Sequence, residues 1–260
     1  MANTRLGLTN LLLEPGVVLK NGTGGGAPAL IESAPYTMSN LLNGDRSSLW
    51  KTSVLTSAAT YRIDFDLGAT VSLNAGAMMG YRLATGVGPG VDFLYQTGAY
   101  NPVGVWTYID TFGADRRDVG VVGATVSARS VRFLLSPGDV SETFSLGGFF
   151  VGEVSDLGGI HSPGGVHTPF QNRLETPLAN GSVVIARLGD PGHTWTMPWN
   201  SIPLATRNIL RSAQGRPTTF VLVDHEGNFF EVYLRGGALT EGLGGGVGLY
   251  DINLELVSMP

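Results

Sequence analysis

The 260-residue sequence predicts a mainly β protein: a β-sandwich domain followed by a β-sandwich or barrel domain that carries one α-helix. Three observations predict this. Glycine is the compositional outlier at 38 residues, joined by 14 prolines, and it falls between short apolar runs without a collagen-like period. Residues 61–67 alternate, with Tyr61, Ile63, Phe65 and Leu67 on one face and Arg62, Asp64 and Asp66 on the other, which is the period of a half-buried strand. A helical apolar stripe occurs in one place, residues 203–213.

Taken in order, residues 1–35 are rich in glycine, proline and alanine around NGTGGGAPA and read as an arm or long loop. Residues 36–154 read as a first compact domain of short strands, at 61–67, 71–83, 92–96, 106–112, 131–135 and 144–151. The glycine- and proline-rich run SDLGGIHSPGGVHTPFQN makes residues 155–172 a linker. Residues 173–260 then form a second domain. Strands at 182–188 and 193–199 flank the turn Gly189-Asp190-Pro191-Gly192, and Trp195, Met197 and Trp199 share one face of the second strand. Ser201 is the expected N-cap of a helix over 203–213, with Leu204, Ile209, Leu210 and Ala213 as its apolar stripe and Gly215 as its stop. A hairpin at 219–224 and 229–235 follows. The last strand, 249–257, alternates Tyr250, Ile252, Leu254 and Leu256 with polar residues.

Composition narrows the function classes. Hydrophobic residues make up 43% of the chain and charged residues 14%, which is too apolar for an unfolded polymer. The net charge of −5 and the presence of only two lysines, Lys20 and Lys51, leave no basic cluster to neutralise phosphates, so no nucleic-acid partner is expected. Cysteine is absent, which rules out disulfides and thiolate metal sites. No apolar run reaches the roughly 18 residues of a membrane span. Leu11-Leu12-Leu13 is interrupted by Glu14-Pro15, so no signal peptide is read; the absence of cysteine is read as folding in a reducing cytosol, although a cysteine-free exported protein would look the same.

Two resemblances sharpen the picture. The segment SNLLNGDRSSLW, from Ser39, followed by the strand that ends in Asp66-Leu67-Gly68, resembles the opening of discoidin-like (galactose-binding-like) jelly rolls. Arg129-Ser130-Val131-Arg132-Phe133-Leu134 resembles their penultimate core strand, and residues 144–153 their closing strand. This resemblance covers residues 36–154 and implies a recognition scaffold whose end loops contact ligand, with Arg46 and Tyr100 as ligand-binding candidates. It also implies a structural calcium held by Asn40, Asn43, Asp45 and Ser48, since hard oxygen donors suit that cation. Asn43 stands where the family usually has Asp. The same side chains equally serve as turn caps that fix the loop over Trp50.

The order of elements in residues 173–260 resembles the tail-tube-like unit that distal and minor tail proteins of long-tailed bacteriophages reuse. Arg187-Leu188-Gly189, Thr196-Met197-Pro198-Trp199, residues 220–224 and the closing strand carry that likeness. It implies a virion protein of the tail tip, made in the host cytoplasm. Such a protein would assemble with itself into a ring of three or six subunits and contact neighbouring tail proteins. In distal tail proteins the tube-like domain usually comes first, whereas here it is read as the last.

Catalytic chemistry finds little purchase. No G-x-S-x-G, G-x-x-x-x-G-K or H-E-x-x-H pattern occurs. His161, His167, His193 and His225 all read as turn or linker residues, and His161 and His167 lack the spacing of a helical metal pair. Asp64 and Asp66 lie about 7 Å apart along one strand face, and a solvated strand face explains them. The glycine runs at 22–26 and 242–248 read as loops. Trp106 is expected in the core, and Tyr95 and Tyr100 are aromatics that could stack on a sugar, Tyr100 being the more exposed. The sequence therefore predicts a non-enzyme without a cofactor, apart from the calcium. Its first reading is a ring-forming tail-tip protein that contributes to host attachment; the alternative is a calcium-dependent carbohydrate-binding module.

Overall fold

The computed structural model describes residues 3–20, 37–42, 50–51, 60–80, 82–83, 90–113, 118–136, 144–158, 166–170, 173–177, 183–187, 192–214, 219–235, 240–243 and 248–258. The protein is mainly β, with antiparallel sheets, and one α-helix among the described residues, Leu204–Ala213. The chain divides into two compact units. One, here the flanking unit, comprises Met1–Leu8, Ser155–Glu226 and Phe230–Pro260; the other, the inserted unit, comprises Thr9–Val154 with Gly227–Phe229.

The inserted unit is built on two long strands, Tyr61–Met79 and Val119–Ser136, paired antiparallel. Gly148–Gly152 and Val18–Lys20 also pair with the first, and Gly90–Gln96 pairs with the second, with Thr107–Gly113 outermost. A three-stranded sheet of Trp50–Lys51, Phe144–Leu146 and Arg82–Leu83 supplies a second layer. Tyr61, Ile63, Phe65 and Leu67 bury one face as the alternation requires, and Trp50 is buried with them. Phe133 centres the core: its ring stacks on Phe93 at 4.9 Å, tilts against Phe149 at 4.3 Å and meets Phe65 edge-on at 6.3 Å.

The first strand does not stop at Gly68, as its sequence suggested. Gly68 takes a φ of +75° at an irregularity between Asp66 and Val71, and pairing resumes beyond it. Close approach explains another glycine: a Cβ on Gly120 would lie 2.5 Å from the Cβ of Ala77, its cross-strand partner.

The flanking unit is discontinuous in sequence. Its main sheet runs Ser155–Asp156, Arg5–Gly7, Phe220–Val223, Phe229–Leu234, Leu249–Ser258, Gly192–Pro203 and Val166–Phe170, with Thr240–Leu243 also paired to Leu249–Ser258. Arg173–Pro177 and Val183–Arg187 form a separate hairpin. Trp195, Met197, Trp199, Ile252, Leu254 and Leu256 bury the expected face, together with Leu210 and Ala213 of the helix.

Three expectations need correction. Residues 5–7 belong to no arm: Arg5–Gly7 is an interior strand, paired on one side with Asp156 and Ser155 and on the other with residues 221–223, and Leu6 is buried. Three residues are too few to show a period, so a strand completed by partners some 150 and 215 positions away leaves no local signal. Residues 155–172 are more than a linker, because Ser155–Asp156 and Val166–Phe170 both enter the sheet. Ser201 caps no helix. It sits at φ +56° where the register shifts between Trp199 and Ile202, and its N–H donates to Asp251 Oδ1 at 2.7 Å; Pro203 occupies the N-cap without a side-chain bond.

Replacing Phe133 by Ala is expected to lower stability by about 3–5 kcal/mol, because the site is walled by three other rings and cannot collapse. Denaturant titration would show this as a reduced midpoint.

Candidate functional site

Cross-strand register builds the site. Lys20, Asp64 and Arg132 stand directly opposite one another on three adjacent strands, on the face turned away from the phenylalanine core. Arg62 lies two residues back on the same face. The sequence reading put Asp64 on a solvated face; the structure places it at 0% exposure. Residues 97–106, between strands Gly90–Gln96 and Thr107–Gly113, fold over it.

The buried carboxylate is fully engaged. Arg132 donates from Nε to Oδ1 and from Nη2 to Oδ2, both at 2.7 Å, a bidentate pair. The Tyr100 hydroxyl donates to Oδ2 at 3.0 Å, and Arg62 Nε lies 4.0 Å away. Both arginines also donate to the Pro102 carbonyl, Arg62 at 3.3 Å and Arg132 at 3.1 Å. The Arg132 guanidinium lies 3.9 Å from the centroid of Trp106, and Trp106 meets Tyr100 edge-on at 6.3 Å. Lys20 Nζ is 5.6 Å from the Tyr100 ring centre.

Asn101 shapes the covering segment. Its N–H donates to Gln96 Oε1 at 3.0 Å, its side-chain oxygen accepts from Val103 N, and its carbonyl accepts from Trp106 Nε1 at 3.2 Å. The outcome is a surface on which Trp106 and Tyr100 are half-buried beside strongly exposed Val103 (71%), Val105 (87%) and Tyr108 (53%). Tyr108 is tied down through its hydroxyl, which donates to Thr111 Oγ1 at 2.7 Å, and Thr111 Oγ1 donates in turn to Asp92.

Burial, followed by the charge of Asp64 and the hydrogen bond to it, pushes the Tyr100 phenol from 10.0 up to about 12. A neutral phenol can donate to Asp64, whereas a phenolate would face a carboxylate. The interaction is therefore intact below pH 10 and is lost as the pH climbs through about 12.

Of the residues singled out by sequence, Tyr100 is in this cluster, although its hydroxyl faces inward. Trp106, expected in the core, instead stands half-exposed on Arg132. Tyr95 packs against the hydrophobic core. Asn40 lies in the short 3-10 helix Met38–Leu42, its N–H donating to the Thr37 carbonyl; Asn43, Asp45, Arg46 and Ser48 lie outside the described residues. Asp66 accepts from Gly68 N and faces Arg129 at 3.7 Å. Arg62 and Arg132 were missed. Their signal was the charge alternation Arg62/Asp64 and Arg132, but only strand register pairs them. Among the described residues no three His, Asp or Glu side chains gather as a metal-ligand group. His167 and His193 lie on paired strands, and His225 at a turn; His161 is outside the described residues.

No protein-family model and no curated protein matches the sequence. Among solved structures, chitosan-binding module 1 of a chitosanase/glucanase from Paenibacillus sp. IK-5 is similar at 17% identity and a TM-score of 0.43, over 55% of this chain and 98% of that one. Module 2 of the same enzyme, in complex with chitotriose, is similar at 16% identity and a TM-score of 0.43, over 55% and 99%. A Ruminococcus gnavus GH29 fucosidase in complex with fucose is similar at 16% identity and a TM-score of 0.44, over 56% of this chain and 27% of that one.

Asp64→Asn should cost about 3–5 kcal/mol, since it leaves Arg132 buried beside a group that cannot balance its charge. Tyr100→Phe removes one hydrogen bond and should cost about 1 kcal/mol; ultraviolet titration of the same pair of proteins should show the loss of a phenol that ionises near pH 12.

Proposed function

We propose that the inserted unit is a non-catalytic carbohydrate-binding module whose contact surface is the 97–106 segment with Tyr108. The observation that carries this reading is the half-exposed Trp106, backed by Arg132 and flanked by Tyr100 and exposed Tyr108. Sugar rings present apolar C–H faces to aromatic rings and hydroxyls to nearby polar groups, and this surface offers both kinds of partner. Hydrogen bonds tie the segment to the sheet without any ligand: the Asn101 N–H donates to Gln96 and the Pro102 carbonyl accepts from Arg132. Preorganisation of this kind lowers the ordering cost of binding. Calcium belongs to the proposal through Asn40, Asn43, Asp45 and Ser48, as a support for the loop before Trp50.

A glycan array probed with and without calcium tests the reading. Binding of defined glycans is expected, weakened by about 1.5 kcal/mol, roughly tenfold, in Trp106→Ala. An array with no binding under either condition, or binding unchanged in that variant, would sink it.

A second reading concerns the flanking unit. Residues 183–258 run as two strands, a helix, a hairpin, a further strand Thr240–Leu243 and a closing strand, which is the element order that suggested a ring-forming tail-tip subunit with one strand added. In that role the carbohydrate module would face the host surface from a virion. Mass measurement in solution separates the cases: a ring former gives trimers or hexamers, and a stable monomer at micromolar concentration counts against it.

A further inference from the structure

The edge of the flanking sheet holds a pair of imidazoles whose nitrogens converge. His167 lies on the outermost strand, Val166–Phe170, and His193 on its neighbour, Gly192–Pro203. His167 Nε2 and His193 Nδ1 are 2.8 Å apart. At that distance one nitrogen carries the proton and the other supplies the lone pair, so two ring nitrogens aim at one hydrogen.

Both rings are held from behind. His167 stacks on buried Trp195, 5.1 Å between centroids and 1° between planes, and His193 lies 5.5 Å from Trp195 and 5.4 Å from Phe230. Backbone position is fixed as well: the His193 N–H donates to Ser258 Oγ at 2.7 Å, and Thr194 Oγ1 donates across the ladder to the Thr168 carbonyl at 3.2 Å. The pair lies at the solvent-facing edge, so a hydrated ion can reach it.

We propose that His167 and His193 form a two-imidazole site for a borderline divalent transition cation, bound through His167 Nε2 and His193 Nδ1 with water in the remaining positions. The cation takes the place of the shared proton, which leaves to solvent. Metal–imidazole bonds of about 2.0–2.1 Å at a tetrahedral angle require the nitrogens to separate by roughly half an ångström more and the rings to turn until both lone pairs meet at the cation, an adjustment that the outermost strand carrying His167 can make. Two neutral nitrogen donors without carboxylates select copper, nickel and zinc over calcium and magnesium, with copper tightest. This site is independent of the ligand of the inserted unit.

The test titrates the full chain with copper, nickel and zinc chlorides by calorimetry, and follows histidine ring protons by NMR as copper is added. One saturable equivalent is expected, with copper bound tightest and the His167 and His193 ring signals broadening together. His167→Gln keeps a hydrogen-bonding side chain but removes the ligand, and should weaken binding by about tenfold or more; His225→Ala should leave it unchanged. Absence of saturable binding, undiminished binding in His167→Gln, or broadening centred on His225 would each overturn the site. Should His167→Gln fail to fold, the broadening pattern of the unaltered protein decides alone.

Discussion

Asp64 carries a charge at a position without solvent exposure, and much of the inserted unit's 97–106 surface follows from how that charge is balanced. Removing a carboxylate and a guanidinium from water costs several kcal/mol each, repaid only when geometry is close and remaining donors find partners. Arg132 supplies the bidentate match, Tyr100 a third hydrogen bond, and the Pro102 carbonyl takes up donors from both arginines. The 97–106 segment is thus part of the solution to a burial problem. It covers the pair because its hydroxyl and carbonyl complete the pair's hydrogen bonding.

That constraint also shapes the surface above it. Once Arg132 is fixed by Asp64, its guanidinium plane becomes a support for Trp106, and Trp106 in turn stands edge-on to Tyr100. An aromatic surface on a loop is ordinarily mobile; here an ion pair beneath it holds the rings in place. The charges themselves face inward, so the outward chemistry is mostly apolar and aromatic, with Val103, Val105 and Tyr108 at the surface.

The flanking unit shows how little a short strand needs to say for itself. Arg5–Gly7 joins Ser155–Asp156 on one side and Phe220–Val223 on the other, so the chain leaves its sheet after Leu8 and returns at Ser155 one strand over. Residues 9–154 are thus an insertion in the chain between two strands that pair with each other in the flanking sheet. Order along the chain therefore misstates which unit comes first: the flanking unit both opens and closes the chain.

Sequence alone determined the β character, the buried faces of residues 61–67, 195–199 and 252–256, and the helix, because each follows from a local period of two or 3.6 residues, and it placed Trp50 inside through the polar turn segment that precedes it. It also picked out Tyr100. Only the tertiary structure decided what Tyr100 does, that Asp64 is buried, that Trp106 rests on Arg132, and that His167 meets His193. The physical reason is common to all four. Register between strands and the folding of a loop over a sheet are set by contacts between residues tens of positions apart, and a period read along one strand carries no information about which residue lies opposite.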